Sequence, residues 1–223
     1  MKTLILGIDD AGRGPVIGPM VLAGCLIDQK IEPKLKELGV KDSKKVAAKK
    51  RDLLAQEIKN RSETFEIVLA PPIEIDESNH NGTKLNELEA IKIAEIINKI
   101  NKGYAKIKVI VDCPSPSIEK WQNFLITKIK NISNLEISCE HKADSNHISV
   151  AAASILAKHI RETEMDKLKK IYGQEIGSGY TSDTSTIKFL AKHAAKHENK
   201  GIFRKTWITW KKAYEKLGQK TLS

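Results

Sequence analysis

Cysteine is scarce and scattered. Cys25, Cys113 and Cys139 are the only three in 223 residues, an odd number with no Cys-x-x-Cys among them. That spacing excludes a disulfide framework and a zinc knuckle, and the three are expected as small buried hydrophobes on strands in a reducing, cytoplasmic setting. Long apolar runs are missing too. Nothing approaches the ~20 residues that cross a bilayer, and the opening Thr3-Leu4-Ile5-Leu6-Gly7-Ile8 stops at two aspartates, not at a small-residue cleavage site. Neither a membrane-spanning nor a secreted protein is expected, and no membrane partner. There is also no internal repeat and no low-complexity linker, which rules out collagen-like, mucin-like and tail-like chains. What remains is a globular balance, 40% hydrophobic against 30% charged, long enough to bury a full core.

Acid is thin where base is dense. The chain carries 38 Lys+Arg against 28 Asp+Glu, a formal charge of +10. From Thr184 onward ten basic residues (Lys188, Lys192, Lys196, Lys200, Arg204, Lys205, Lys211, Lys212, Lys216, Lys220) face only Glu198 and Glu215, so this end holds +8 of the total. A polyanion contacted by the C-terminal end fits that asymmetry, and so does an ordinary lysine-rich solvated face.

The apolar pattern predicts strands over residues 4–8 and 21–27, then a helix capped by Asp42 or Ser43 and running to Ile58. A strand over 64–69 is expected to end at Pro71-Pro72. Leu85, Leu88, Ile91, Ala94, Ile97 and Ile100 form one stripe of a long helix, which Gly103 ends before a strand over 107–111. A helix from Ser117 to about 130, a strand over 135–139, an alanine-rich helix over 150–170, and two helices over about 184–197 and 206–217 complete the chain. Strands first, then strands alternating with helices, describe an α/β layer structure with a mixed sheet. The expected division is a catalytic domain over 1–180 and a basic helical segment packed on the core over 181–223.

Acids recur where these strands end. Asp9 and Asp10 close the first strand, Asp112 closes a later one, and Asp144 lies just past the next. A sheet can converge such strand ends at one edge. Magnesium and manganese take oxygen ligands, keep several waters, and bind through a few carboxylates plus substrate phosphate. Two such ions on either side of a phosphodiester would activate a water on one face and stabilise the leaving oxygen on the other. Taken singly, each aspartate is as well explained as a turn or helix cap. Directly after the acid pair comes Gly12-Arg13-Gly14-Pro15, neither a dinucleotide fingerprint nor a P-loop. Its glycines permit close backbone approach to a ligand, and Arg13 adds a phosphate-matching fork; an ordinary tight turn would also use them.

Taken in order, Gly7-Ile8-Asp9-Asp10-Ala11-Gly12-Arg13-Gly14-Pro15, Asp42-Ser43-Lys44-Lys45, Val111-Asp112, His141-Lys142-Ala143-Asp144 with Val150–Lys158, Gly177-Ser178-Gly179-Tyr180 and Phe203-Arg204-Lys205-Thr206-Trp207 resemble the ribonuclease HII family, the type 2 ribonucleases H, in its archaeal form. The resemblance implies an RNase H-like mixed β-sheet flanked by helices, with a C-terminal helical extension. It implies a monomeric metal-dependent endonuclease that cuts the RNA strand of RNA–DNA hybrids and the 5′ side of ribonucleotides embedded in duplex DNA, leaving 3′-hydroxyl and 5′-phosphate ends. By motif position Asp9, Asp10, Asp112 and Asp144 match the catalytic acids that hold two Mg2+ or Mn2+ ions. Gly12, Arg13 and Gly14 match the loop that reads the ribose 2′-hydroxyl, Tyr180 the tyrosine that stacks on the neighbouring deoxyribose, and Ser43, Lys44 and Lys158 positions near substrate phosphates. A hydroxyl present in RNA and absent in DNA is readable by a fixed backbone without reading a base, so weak sequence preference is expected.

Two positions depart from the family pattern. Asp10 stands where glutamate is usual, one methylene or about 1.5 Å shorter in reach, and Thr181 stands where proline commonly follows the tyrosine. Two other readings keep the same residues: a non-catalytic hybrid-binding module, and a structure-selective DNA nuclease such as a junction resolvase. Among the remaining candidates, His193 and His197 have the four-residue spacing of a zinc pair but lack a third ligand, and are expected as surface residues. His141 and His147 flank Asp144, where a solvated loop is expected, and Trp207 and Trp210 are expected to pack their helix. Gln219-Lys220-Thr221-Leu222 resembles the start of a sliding-clamp-binding peptide whose aromatic pair is missing before Ser223, so a clamp contact is expected only of a longer chain.

Overall fold

The computed structural model describes residues 2–41 and 46–220, with backbone alone at 48, 49 and 218–220. The helix expected to be capped by Asp42 or Ser43 instead begins at Ala48, with Ala47 as its N-cap; the phosphate contacts assigned to Ser43 and Lys44, and the last residues of the clamp-like ending, lie outside the described residues.

Five strands form one mixed sheet in the order β3-β2-β1-β4-β5. β1 (Leu4–Ala11) pairs antiparallel with β2 (Met20–Asp28) and parallel with β4 (Ile107–Asp112), which pairs parallel with β5 (Leu135–Glu140); β3 (Thr64–Ala70) lies beside β2. The described helices are α1 (Glu32–Leu38), α2 (Ala48–Arg61), α3 (Pro72–His80), α4 (Leu85–Ile100), α5 (Ile118–Ile126), α6 (Ala143–Asn146), α7 (Ile148–Tyr172), α8 (Thr184–His193) and α9 (Ile208–Lys220). α3 was not expected. Pro71-Pro72 reads as the end of a strand, but a proline also fits the first turn of a helix, where its missing N–H costs nothing, and here it starts one. α5 stops earlier than the periodicity predicts, at Ile126. Cys25 and Cys139 are on strands and Cys113 directly follows one; all three are free and buried, and burial pushes the thiols of Cys25 and Cys139 up to about 12.

The backbone gathers into two compact units, each made of three stretches: Met1–Ala11, Val21–Leu69 and Asn86–Ile160 in the first, Gly12–Met20, Ala70–Leu85 and Arg161–Ser223 in the second. In the first unit β1 is buried on both faces, which is why it reads as a continuous apolar run and not as an alternation. Ile5 belongs to one core cluster with residues 150–153 and 155–157 of α7 and with Leu54, Ala55 and Ile58 of α2. On the other face, a Cβ built on Gly24 of β2 would lie 2.4 Å from Ile96 and 3.3 Å from Ile100, so α4 lies close against the sheet there. Gly7 allows a similar approach by α7: a Cβ at this position would sit 2.1 Å from the carbonyl carbon of Ser149. The first turn of α7 therefore rests on the backbone of β1, two residues before Asp9.

The second unit has its own core of Val16, Ile17, Met165, Ile176, Phe189, Leu190, Ala194, Ile202, Phe203 and Trp210. Backbone hydrogen bonds tie three loop segments together: Val16 N–H to Gly179 (2.9 Å), Gly18 N–H to Ile202 (3.0 Å) and Arg204 N–H to Val16 (2.9 Å). Asp76 on α3 adds a polar anchor, accepting from the N–H of Lys205 (2.7 Å) and from the N–H and hydroxyl of Thr206 (2.9 and 2.6 Å).

Candidate active site

The parallel register fixes where the acids go. Gly7 faces Ile110 and Ile8 faces Val111, so Asp9 and Asp112 are the next residues along neighbouring strands. Strand alternation then puts Asp9 on the face of Ile5 and Gly7, and Asp112 on that of Ile110, which belongs to the same core cluster beside α7. Asp10, one residue on, leaves the opposite face and is half-buried.

Asp9 is strongly perturbed. It is buried, accepts the N–H of Asp10 at 2.7 Å, and takes a hydrogen bond from the Ser154 hydroxyl of α7. Burial first, then the charge of Asp10, and further the charge of Asp112 hold its carboxyl well above the ordinary aspartate value, with the Ser154 and Asp10 bonds offsetting part of this. Asp112 accepts the N–H of Ala143 at 2.8 Å. This joins the end of β4 to the start of α6 and sets the buried Asp144 next to that joint. The turn depends on Lys142, which at φ 58° is the one described non-glycine residue in the left-handed region, a conformation costing about 1–2 kcal/mol. Backbone strain is thus stored beside an acid of the cluster.

Around the acids, Glu140 at the tip of β5 pairs with His147 at 2.8 Å, and His141 places Nδ1 3.1 Å from the Cys113 carbonyl, so that nitrogen carries the proton. His147 is therefore half-buried and hydrogen-bonded to Glu140, and is not the solvated loop histidine expected. Lys158 is half-buried one helical turn beyond Ser154, on the same side of α7.

The other expected site residues belong to the second unit. Gly12 is buried at φ +80°, Arg13 is half-buried and Gly14 exposed. Tyr180 is partly exposed, with the guanidinium of Arg161 4.6 Å from its ring centroid. Its turn is held without the family's proline. Gly179 donates to the Thr186 hydroxyl at 2.9 Å, and Ser178 N–H donates to Asp183 at 2.7 Å, the bond chiefly responsible for lowering that carboxyl below its ordinary value.

Four contributors escaped sequence reasoning. Ser154 is hidden in an alanine-rich helix, and Arg161, Arg204 and the indole N–H of Trp207 carry no local signature of their partners. Arg204 corrects the charge reading: it is fully buried, so it is not part of a solvated basic face. His193 and His197 are likewise half-buried and not surface residues, packing at 4.8 and 6.1 Å from the Phe189 ring. Trp210 packs as expected, stacked on Tyr214 at 4.7 Å. Trp207 also donates to the Gly14 carbonyl at 3.2 Å.

The acid cluster suits a hard divalent cation. Its donors are all oxygens, and one of them is buried under the repulsion of two others, a situation that cation binding relieves. Among the described residues no group of three or more His, Cys, Asp or Glu side chains is placed to hold a metal ion by itself.

A sequence profile of the ribonuclease HII family matches residues 6–210. The ribonuclease HII of Methanococcus maripaludis strain C6 is 43% identical over 217 residues, covering 96% of this chain and 88% of that protein. That of Thermococcus onnurineus is 42% identical over 219 residues, covering 96% and 92%. Among solved structures, ribonuclease H2 from Pyrococcus horikoshii OT3 superposes with a TM-score of 0.84 at 36% identity, over 96% of this chain and 98% of that one. The ribonuclease HII of Archaeoglobus fulgidus, solved as a complex with PCNA, gives 0.79 at 37% identity over 92% and 95%.

Proposed function

This chain belongs to the ribonuclease HII family and is an endonuclease, a hydrolase acting on RNA–DNA hybrids; we propose that it also cuts 5′ of single ribonucleotides in duplex DNA with two divalent ions. The observation that carries the proposal is the buried Asp9, repelled by Asp10 and Asp112 at the ends of parallel strands. Asp9, Asp10, Asp112 and Asp144 would hold magnesium or manganese. When bound, such ions activate a water and stabilise the leaving oxygen, leaving 3′-hydroxyl and 5′-phosphate ends.

The chain's own residues prepare that chemistry. Ser154 and the Asp10 N–H fix the carboxylate of Asp9, and the Ala143 N–H fixes that of Asp112, so little side-chain reorganisation remains when the charge is neutralised. Lys158 and Lys44 supply positive charge to substrate phosphates, and Ser43 offers a hydroxyl hydrogen bond. Gly12, Arg13 and Gly14 meet the ribose 2′-hydroxyl and Tyr180 stacks on the adjoining deoxyribose. The catalytic part spans 1–180, and the basic helices of 181–223 add non-specific attraction to the duplex backbone. The chain acts as a monomer in the cytoplasm. The PCNA complex of the Archaeoglobus relative supports a clamp contact, which Gln219-Lys220-Thr221-Leu222 would make only in a chain that adds the missing aromatic pair.

One duplex carrying a single ribonucleotide, incubated with magnesium, manganese or chelator beside an all-DNA control, tests the proposal. Cleavage of the ribonucleotide strand alone, in either metal and not in chelator, is expected. Equal cutting of both duplexes would identify a junction-type nuclease, and binding without cutting a hybrid-binding module. Asp10 offers a finer check. Restoring the family's longer acid by Asp10→Glu is expected to shift the ratio of magnesium-supported to manganese-supported rates by roughly tenfold, the size of effect that metal-site adjustments commonly have. An unchanged ratio and unchanged rates would show that the shorter arm has no bearing on metal choice.

A further inference from the structure

We propose that Arg204 is the positioning residue that sets the peptide planes of the Gly12-Arg13-Gly14 loop, and through them the discrimination of ribose from deoxyribose. Its guanidinium is fully buried and spends its donors on main-chain oxygens. Nη2 donates to the Gly12 carbonyl at 2.6 Å and Nη1 to the Arg13 carbonyl at 2.6 Å, while Nη2 and Nε reach the Gly18 carbonyl at 3.0 and 3.1 Å. Successive carbonyls of an extended chain point to opposite sides. Convergence of two of them on one fork therefore needs a bend, and Gly12 provides it at φ +80°. The planar guanidinium then holds both with charge-assisted bonds that an ammonium cannot reproduce.

The consequence follows from peptide geometry. All peptide bonds are trans among the described residues, so each N–H points away from the carbonyl of the preceding residue. Turning the Gly12 and Arg13 carbonyls toward Arg204 turns the N–H groups of Arg13 and Gly14 the other way. Trp207 takes the third carbonyl, donating from Nε1 to Gly14 at 3.2 Å, and the next residue, Pro15, has no N–H. The loop is thus gripped by its oxygens from the segment 204–207 and aims two consecutive amide donors at the opposite face. Beside Gly14 itself there is room for a ligand, for a Cβ added there would meet no atom within 4 Å. A pair of amides held in this way is a receptor for a hydroxyl oxygen. Arg161 braces the same loop: it packs against Gly12 and donates to the Ser178 carbonyl at 3.0 Å, under the ring of Tyr180.

This inference rests on the reading that the loop meets the ribose 2′-hydroxyl, so its test separates the two. In an Asp112→Asn background, where no strand is cut, dissociation constants are measured with magnesium for a single-ribonucleotide duplex and for the all-DNA duplex of the same sequence. Arg204→Lys, assayed at a temperature where circular dichroism shows it folded, is expected to reduce the ratio of the two by about tenfold or more. Affinity for the all-DNA duplex should hold, and the amide resonances of Arg13 and Gly14 should shift. Should Arg204→Lys fail to fold, Trp207→Phe removes only the bond to the Gly14 carbonyl and is expected to move the same ratio in the same direction. If the ratio stays at the parental value while Gly14→Ala lowers it, the loop reads the sugar and Arg204 merely stitches the fold. If neither variant moves the ratio, the loop does not read the hydroxyl, and both ideas fall together.

Discussion

Asp112→Asn is expected to lower cleavage by about 10³-fold and at the same time to stabilise the metal-free protein. The two effects have one origin. In the folded chain Asp9 is buried, with Asp10 and then Asp112 adding to the cost of ionising it. Its folded value lies above its unfolded value, so the native state keeps a proton that the unfolded chain has released. Stability is therefore fully present below the ordinary aspartate range and declines as pH rises toward the raised value. Removing the Asp112 charge weakens that decline, by up to about 1 kcal/mol at neutral pH if the shift changes by one unit. The substituted amide still offers an oxygen to the Ala143 N–H, so the joint between β4 and α6 survives. Magnesium should reverse the order: at 100 times its dissociation constant an ion binding only the native state adds about 2.7 kcal/mol, and the variant, short of one carboxylate, collects less of it. Thermal unfolding with and without magnesium across pH 5 to 8 checks both signs. A variant less stable than the parent in chelator would show that the acids do not repel one another.

How far the sequence discloses this arrangement depends on whether a contact is local. The run from Leu4 to Ile8, closed by two acids, announces a buried strand and its catalytic tip because burial on both faces leaves nothing polar in it. Asp112 is legible because it closes the apolar run Val109-Ile110-Val111, and Asp144 because it comes shortly after the next strand, ahead of a helix. Ser154 is not, since its partner is 145 positions away and a serine among alanines reads as a neutral helix residue. Arg204 is harder still. Counted with nine lysines it belongs to a basic end, and only its fully buried environment shows that its charge serves the backbone of residues 12–18. Pro72 was misread because the same residue that ends a strand suits the first turn of a helix.

Within the loop itself, Gly12 and Gly14 should separate stability from recognition. Gly12 sits at φ +80°, and an added Cβ would lie 2.2 Å from Nε and 2.4 Å from Cδ of Arg161, and 2.8 Å from the Pro19 carbonyl oxygen. A side chain there meets a backbone atom as well as a buried arginine, so Gly12→Ala is expected to cost about 2–3 kcal/mol of stability. Cleavage should fall with it, by about 10²-fold, because the bend that brings two carbonyls to Arg204 is lost. Gly14 has no such requirement: its φ is outside the left-handed region and the space beside it is open. Gly14→Ala should leave the melting temperature at or slightly above the parental one, since alanine narrows the unfolded ensemble by about 0.4–1 kcal/mol. Its methyl would nevertheless stand where the sugar must come within hydrogen-bond distance of the amides, and kcat/KM on a single-ribonucleotide duplex should drop by about 10²-fold. Calorimetry and steady-state rates on the two variants decide the matter, and a Gly14→Ala protein that cleaves as the parent does would mean that the substrate never approaches this face.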